Sequence, residues 1–220
     1  MDNFKSYITL IENQWYWRID DQYGSTYKST LSETEVYNVL EPFLENKRTM
    51  VQAGGNCGMH VHKFVEHFDT IYTFEPDPLN FFCLVNNLPY SNVIKIQGCL
   101  SDENKLVEIE KPYGDIGSIR INKNVKQGKI PCFTIDELKL DHCDLIQLDI
   151  EGYEMFALRS AKETIKKFHP LICIEYVHFQ HYGTDNKEVD NFLFSNGYEL
   201  VAKYVTDRIY KYVPFNLRIS

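Results

Sequence analysis

Residues Thr49–Gly58 read TMVQAGGNCG. A short apolar run encloses one amide, Gln52, and three glycines follow within five residues. A buried strand that empties into glycines opens a βα unit, because glycine lets the chain turn and lets another group approach the backbone closely. The spacing narrows the choice of unit. A P-loop needs a lysine after its glycines, and none follows here. A dinucleotide fingerprint reads G-x-G-x-x-G, and Gly54, Gly55 and Gly58 do not fit it.

Outward from this stretch the strand–turn–helix rhythm repeats. TIYTFEP is a second strand, followed by the helix PLNFFCLVNNL, which Pro89 stops. NVIKIQG is a third strand. DLIQLDI is a fourth, with the helix EMFALRSAKETIKKF behind it, and PLICIEY is a fifth. KEVDNFLFSNG is a helix ending at Gly197. ELVAKYV and RIYKYVP, split by TD, form an antiparallel hairpin. Near-continuous apolar strands alternating with helices imply a parallel sheet covered on both faces. The expected fold is a doubly wound α/β sheet, mostly parallel, with an antiparallel C-terminal edge hairpin. Residues 102–130 interrupt the rhythm with polar, glycine-containing segments, read as hairpins or a long loop.

The first 48 residues differ. YITLIENQWYWRIDDQYG alternates apolar and polar residues as one or two short strands. TLSETEVYNVLEPFLEN reads as a helix, with Ser32 and Glu35 spaced as a capping box and Val36, Val39, Leu40, Phe43 and Leu44 on one face. Residues 1–48 are therefore an N-terminal strand/helix extension, and residues 49–220 the main domain. Trp15, Tyr16 and Trp17 on the extension's strand read as core packing rather than a stacking platform for a ligand.

Composition excludes several classes. A length of 220 residues, 44% hydrophobic and 25% charged, fits one soluble domain with a full core. No segment approaches ~18 consecutive apolar residues, so no membrane span is expected, and the N-terminus lacks a secretory pattern. None of the six cysteines forms a C-x-x-C pair, so they read as reduced, mostly buried thiols of a cytoplasmic protein. The net charge of -8 argues against nucleic acid as partner, since the one basic run, INKNVKQGK, is short.

Ligands of open α/β sheets bind at the carboxyl ends of the strands. Those ends carry GGNCG, Glu75 in FEPDP, QGCLSD, DIEGYE and EYVHFQH: glycines, amides and carboxylates, with no lysine or arginine. Glu75 is placed to accept hydrogen bonds from ribose hydroxyls. A ribose-bearing ligand without a pyrophosphate, carrying positive charge, suits this set. S-adenosylmethionine, a sulfonium, is such a ligand.

Several stretches resemble the FkbM family of S-adenosylmethionine-dependent methyltransferases. VQAGGNCGMH is similar to the family's D-x-G-A-N-x-G motif. YTFEPDPLNFFCLVNNL is similar to its F-E-P-x-P segment, and CFTIDEL to its T-L-D-x-L segment. DLIQLDIEGYEMFALRSA resembles I-K-x-D-x-E-G-x-E, and HPLICIEY the strand that follows. The resemblance spans about Thr49 to Tyr176. It implies a class I methyltransferase (Rossmann-like) fold and methyl transfer to a hydroxyl of a carbohydrate or other small-molecule or glycoconjugate acceptor. It implies Gly54, Asn56 and Gly58 beside the cofactor's methionine and ribose. Glu75, with Pro76, would hold the ribose, and Cys99, Leu100 and Ser101 would flank the adenine. Asp149, Glu151 and Glu154 would stand beside the methyl and the acceptor. Gln52 and Gly55 belong to the same cofactor motif.

Two departures from the pattern stand out. Gln52 replaces the motif's first acid, which predicts weaker cofactor binding, and Gln147 replaces the lysine before the strand-four acid. Residues 1–48 are not explained by the resemblance.

Methyl transfer to oxygen needs an aligned hydroxyl and a base within hydrogen-bond reach. Asp149 is the favoured base, with Glu151 orienting it. His178, whose ring suits proton transfer, is a further catalytic candidate. A divalent cation on Asp149, Glu175 and His178 is the unfavoured variant, so no metal is assigned. The pair His60 and His62 reads as weak, since i and i+2 do not share a helix face. Two other readings stay open: a methyltransferase-like binding module, and a methyltransferase of a protein, lipid or nucleotide. A homodimer is also left open.

Overall fold

The computed structural model describes residues 5–12, 14–112, 114–125 and 127–214. An N-terminal hairpin comes first, β1 (Ile8–Ile11) and β2 (Trp15–Arg18), followed by the helices α1 (Ser25–Glu33) and α2 (Val36–Leu40). The βα units begin with β3 (Thr49–Ala53), α3 (Met59–His62), β4 (Thr70–Phe74), α4 (Pro78–Asn87) and β5 (Val93–Ile96). Short strands follow: β6 (Cys99–Leu100), β7 (Leu106–Val107), β8 (Ile109–Glu110), β9 (Arg120–Ile121) and β10 (Ile130–Phe133). The chain continues with β11 (Leu145–Leu148), α5 (Glu154–Arg159), α6 (Lys162–Phe168), β12 (Leu171–Glu175), α7 (Asn186–Ser195), β13 (Tyr198–Tyr204) and β14 (Asp207–Tyr212).

The main sheet has seven strands in the order β13–β14–β12–β11–β3–β4–β5. The five from β12 to β5 are parallel, and β14 joins antiparallel to β12. The chain winds outward from β3 through β4 and β5, then restarts on the other side at β11. The switch point therefore lies between β3 and β11, where a crevice opens at the strand ends. The strands β3, β11 and β12 are almost fully buried because helices cover both faces. Val51, Ala53, Ile146, Leu148, Ile172 and Ile174 point to one core. Met50, Ile71, Leu145, Leu171 and Cys173 point to the other, as the period of two requires. All six cysteines are free and buried. Among the described residues no helix is long and apolar enough to cross a membrane.

The helices differ from expectation in their ends. The helix expected from Thr30 starts earlier, at Ser25, and breaks at Thr34, so Ser32 lies inside α1 and donates to the Ser29 carbonyl instead of capping. Val36 and Leu40 are nevertheless fully buried, as the apolar face required. The helix behind β11 is two pieces, α5 and α6, separated at Ser160–Ala161. Ser160 is turned to local bonding: its hydroxyl donates to the Ala157 carbonyl and accepts from the Ile135 N–H.

Residues 5–48 are fastened to the sheet's first units. Asn87 of α4 accepts from the Tyr16 N–H and donates to the carbonyls of Tyr16 and Cys57. Buried Arg18 donates to Asp77, the N-cap of α4, at 3.1 Å, and Lys111 pairs with the same carboxylate. Trp17 is fully buried against Tyr27 and donates to Asp21, so this aromatic is core and not a ligand platform.

Candidate active site

The cavity at the switch point has a volume of about 400 Å³. Its floor is the glycine turn after β3. Gly54 has φ +86°, and a Cβ there would lie 1.8 Å from the Asp149 carbonyl oxygen. Only a residue without a side chain lets the ends of β3 and β11 close this tightly. The other two glycines face away from the cavity. A Cβ on Gly55 would strike Leu84 and Thr73, and one on Gly58 would press on Leu88. They let α4 and β4 pack against the turn.

Glu75, at the end of β4, is 4% exposed and lines the cavity. Its Oε2 accepts from the Asn56 N–H at 2.7 Å and its Oε1 from the Asp77 N–H at 2.8 Å. Burial pushes the carboxyl up to about 8, while the two N–H donors pull it down toward the charged form. Each oxygen keeps a lone pair for a ligand hydroxyl. Pro76, Cys99 and Leu100 line the cavity beside it.

Across the cavity, Asp149, Glu151 and Glu175 converge: one oxygen from each lies within 4.8 Å of the others. Glu175 ends β12, and the other two follow β11. Burial raises all three carboxyls; the charge of Asp149 adds to the rise of Glu151 and Glu175, while a hydrogen bond with Glu175 pulls Asp149 back down. Glu151 reaches about 8 and Glu175 about 11, and Asp149 is raised. Glu151 sits at φ +59° in the turn, with its Oε2 3.8 Å from His178 Nε2. Among the described residues this carboxylate trio is the compact set able to hold a cation, with Glu151 in the place expected for His178. Glu154 is fully buried and does not line the cavity. Its Oε1 accepts from the N–H groups of Ile150 and Gly152, so it shapes the turn that presents Glu151.

Of the residues singled out from sequence, Gly54, Asn56, Glu75, Pro76, Cys99, Leu100, Asp149, Glu151 and His178 meet around this one cavity. Four do not. Gly55 and Gly58 pack behind the turn. Ser101 is fully buried, its hydroxyl between Tyr153 and Asp102. Gln52 is also fully buried, because it points from β3 into the second core with Met50. Its Oε1 accepts from Thr73, and its Nε2 has no partner.

The sequence reading missed one whole wall. Ser25, Thr26, Ser29, Thr30 and Glu33 of α1 line the cavity, as does His60 of α3, which the sequence reading named with His62 and set aside as weak. Their spacing of i, i+1, i+4, i+5 and i+8 was the available signal: a polar stripe down one helix face. Residues 115–121 form the roof. Asp115 holds them by accepting from the N–H groups of Gly117 and Ser118 and from the Ser118 hydroxyl. Ile116, buried with Trp17 and Tyr27, ties the roof to the N-terminal hairpin.

The strand order, the glycine turn at the switch point and an acid at the end of the next strand define a class I methyltransferase. Solved structures share the fold. The methyltransferase FkbM of Methylobacillus flagellatus KT superposes with a TM-score of 0.56 at 19% identity, over 76% of this chain. The present chain spans 44% of that protein's length. A precorrin-6y C5,15-methyltransferase from Geobacter metallireducens GS-15 gives 0.50 at 13% identity, over 80% of this chain and 85% of its own. No curated protein matches the sequence. The model of the Methyltransferase FkbM domain matches residues 53–200. The chain belongs to the FkbM methyltransferase family, a class of enzyme whose methyl donor is S-adenosylmethionine.

Proposed function

We propose that the protein binds S-adenosylmethionine in the switch-point cavity and transfers its methyl group to a hydroxyl of a carbohydrate or other small-molecule acceptor. One observation carries this reading. A buried carboxylate preset by two backbone N–H groups, a glycine at the switch point, and a carboxylate trio all face one cavity of about 400 Å³. The fit to the cofactor is chemical. Glu75 offers acceptors for two ribose hydroxyls, Cys99 and Leu100 offer an apolar edge for a base, and the trio complements a cation. When bound, the sulfonium supplies an activated methyl carbon.

The chain's own residues do the rest. Asp149, at the end of β11 beside Gly54, is the base that takes the acceptor's proton. Glu175 next to it holds its own proton at neutral pH, because burial and four neighbouring carboxyls keep it neutral. One carboxylate of the pair is thus left to act. Glu151 and His178 lead from Asp149 toward the cavity mouth and carry the proton out. Residues 115–121 and α1 enclose the acceptor and keep water away. The acidic wall disfavours phosphorylated and carboxylated acceptors, which supports a neutral polyol.

The test is a panel of neutral and phosphorylated sugars incubated with the enzyme and cofactor and read by mass for a methyl gain. Asp149→Asn should keep cofactor binding and abolish the gain. Full turnover by that variant would exclude Asp149 as base, and methylation confined to anionic acceptors would overturn the substrate class.

A further inference from the structure

His60 is the one feature of the cavity that this reading leaves unused. It is the second residue of α3, two residues after Gly58, and lines the cavity at the glycine-turn end. Its side chain is 12% exposed, and its Nε2 lies 3.7 Å from Glu33 Oε2 on α1. Its Nδ1 is buried and has no hydrogen-bond partner among the described residues. A charged ring with one nitrogen unpaired in such a place is costly unless a ligand oxygen completes it.

The charges around it decide which ligand oxygen. Glu33, Glu75, Asp115, Asp149, Glu151 and Glu175 line the cavity. Against these six acids, the described lining holds one arginine and two histidines. Arg120 is paired with Glu110 and touches His181, and His178 stands by Glu151. At the glycine turn, His60 alone among the described lining residues can carry positive charge. The methionine part of the cofactor is a zwitterion. Its ammonium and sulfonium suit the acids, but its carboxylate would be repelled by each of them that carries charge and gains no cation from any of them.

We infer that the His60 imidazolium, propped by Glu33, receives the α-carboxylate of the cofactor. Burial works against the charged ring, but Glu33, Asp149 and Asp207 outweigh it and raise its affinity for the proton. In the sequence the residue is one of two histidines at i and i+2. The tertiary structure separates them: His62 stacks edge-on to Trp15 and contacts Tyr90 outside the cavity, while His60 turns in. Glu33 lies in the N-terminal extension, so the extension would complete the cofactor site and not merely cover it.

The inference rests on the cofactor assignment, and the experiment separates the two. Calorimetry compares S-adenosylhomocysteine with S-adenosyl-3-thiopropylamine, the same molecule without its carboxylate. The wild-type protein should bind the first about tenfold or more tightly, the size of one charge-assisted bond. His60→Gln should remove that preference while leaving the thiopropylamine within about twofold of its wild-type affinity, which also shows a folded site. Glu33→Gln should shrink the preference in part. A wild-type protein that binds both ligands equally would overturn the inference without recourse to any variant. So would a His60→Gln protein that keeps the full preference. A wild-type protein that binds neither ligand would overturn the cofactor reading itself.

Discussion

The two places where this chain leaves its family's pattern are neighbours in the sheet. Gln52 on β3 and Gln147 on β11 are register partners, 0% and 2% exposed. Gln52 Nε2 and Gln147 Oε1, a donor and an acceptor, are both buried without partners. Where the family pattern carries an acid and a lysine, this chain carries two amides, so the departures are one exchange of a charged pair for a neutral one. Gln52→Asp alone should bury an unpaired carboxylate, and Gln147→Lys alone an unpaired ammonium. Each should cost about 3–5 kcal/mol, roughly a fifth or more of the stability of an ordinary domain. Together they face each other across strands about 4.8 Å apart. The double variant should therefore recover about 2–3 kcal/mol relative to the sum of the singles. Urea unfolding followed by circular dichroism measures this, provided the slope with denaturant stays constant. A double variant no more stable than the sum of its singles would refute the pairing. S-adenosylhomocysteine affinity should stay within about twofold in all folded variants, since neither residue lines the cavity. A large gain with Gln52→Asp would instead restore the expectation that Gln52 weakens cofactor binding.

Glu75→Gln keeps the shape but leaves one acceptor oxygen for the Asn56 and Asp77 N–H groups and the ribose together. S-adenosylhomocysteine should bind about tenfold more weakly or worse by calorimetry, and an unchanged affinity would remove the ribose from this place. Gly54→Ala puts a methyl 1.8 Å from the Asp149 carbonyl at φ +86°, so the strand ends must part; soluble protein with a wild-type melting temperature would contradict the packing described. The ligand-free protein should lose stability as pH rises. Glu154 and Glu175, pushed by burial to about 8 and about 11 from 4.5, hold protons in the folded state that the unfolded chain releases. The melting temperature should thus fall between about pH 5 and pH 8, and a rise over that interval would refute the buried-acid account. Glu175→Gln should reduce the fall.

Much of this molecule is local information. The continuous burial of TMVQA and LIQL, the proline-started and aspartate-capped helix from Pro78, and the glycines after β3 are each dictated by a few adjacent residues. From them the doubly wound sheet follows, and with it the rule that places Gly54, Glu75 and Asp149 at strand ends. What no local pattern could give is which side of those ends a residue faces. Gln52 and Asn56 belong to one motif, yet one is sealed in the second core from its place on β3, while the other lies beyond the strand at φ +45°, where the glycine turn aims its backbone N–H at Glu75. The sequence also could not say that α1 crosses the cavity. Its polar stripe is an ordinary solvent-facing pattern until the buried pair of Arg18 and Asp77, and the bonds from Asn87, fasten the N-terminal hairpin over the first βα unit. Long-range contacts of this kind turn Glu33 and His60, 27 positions apart in the chain, into neighbours at 3.7 Å.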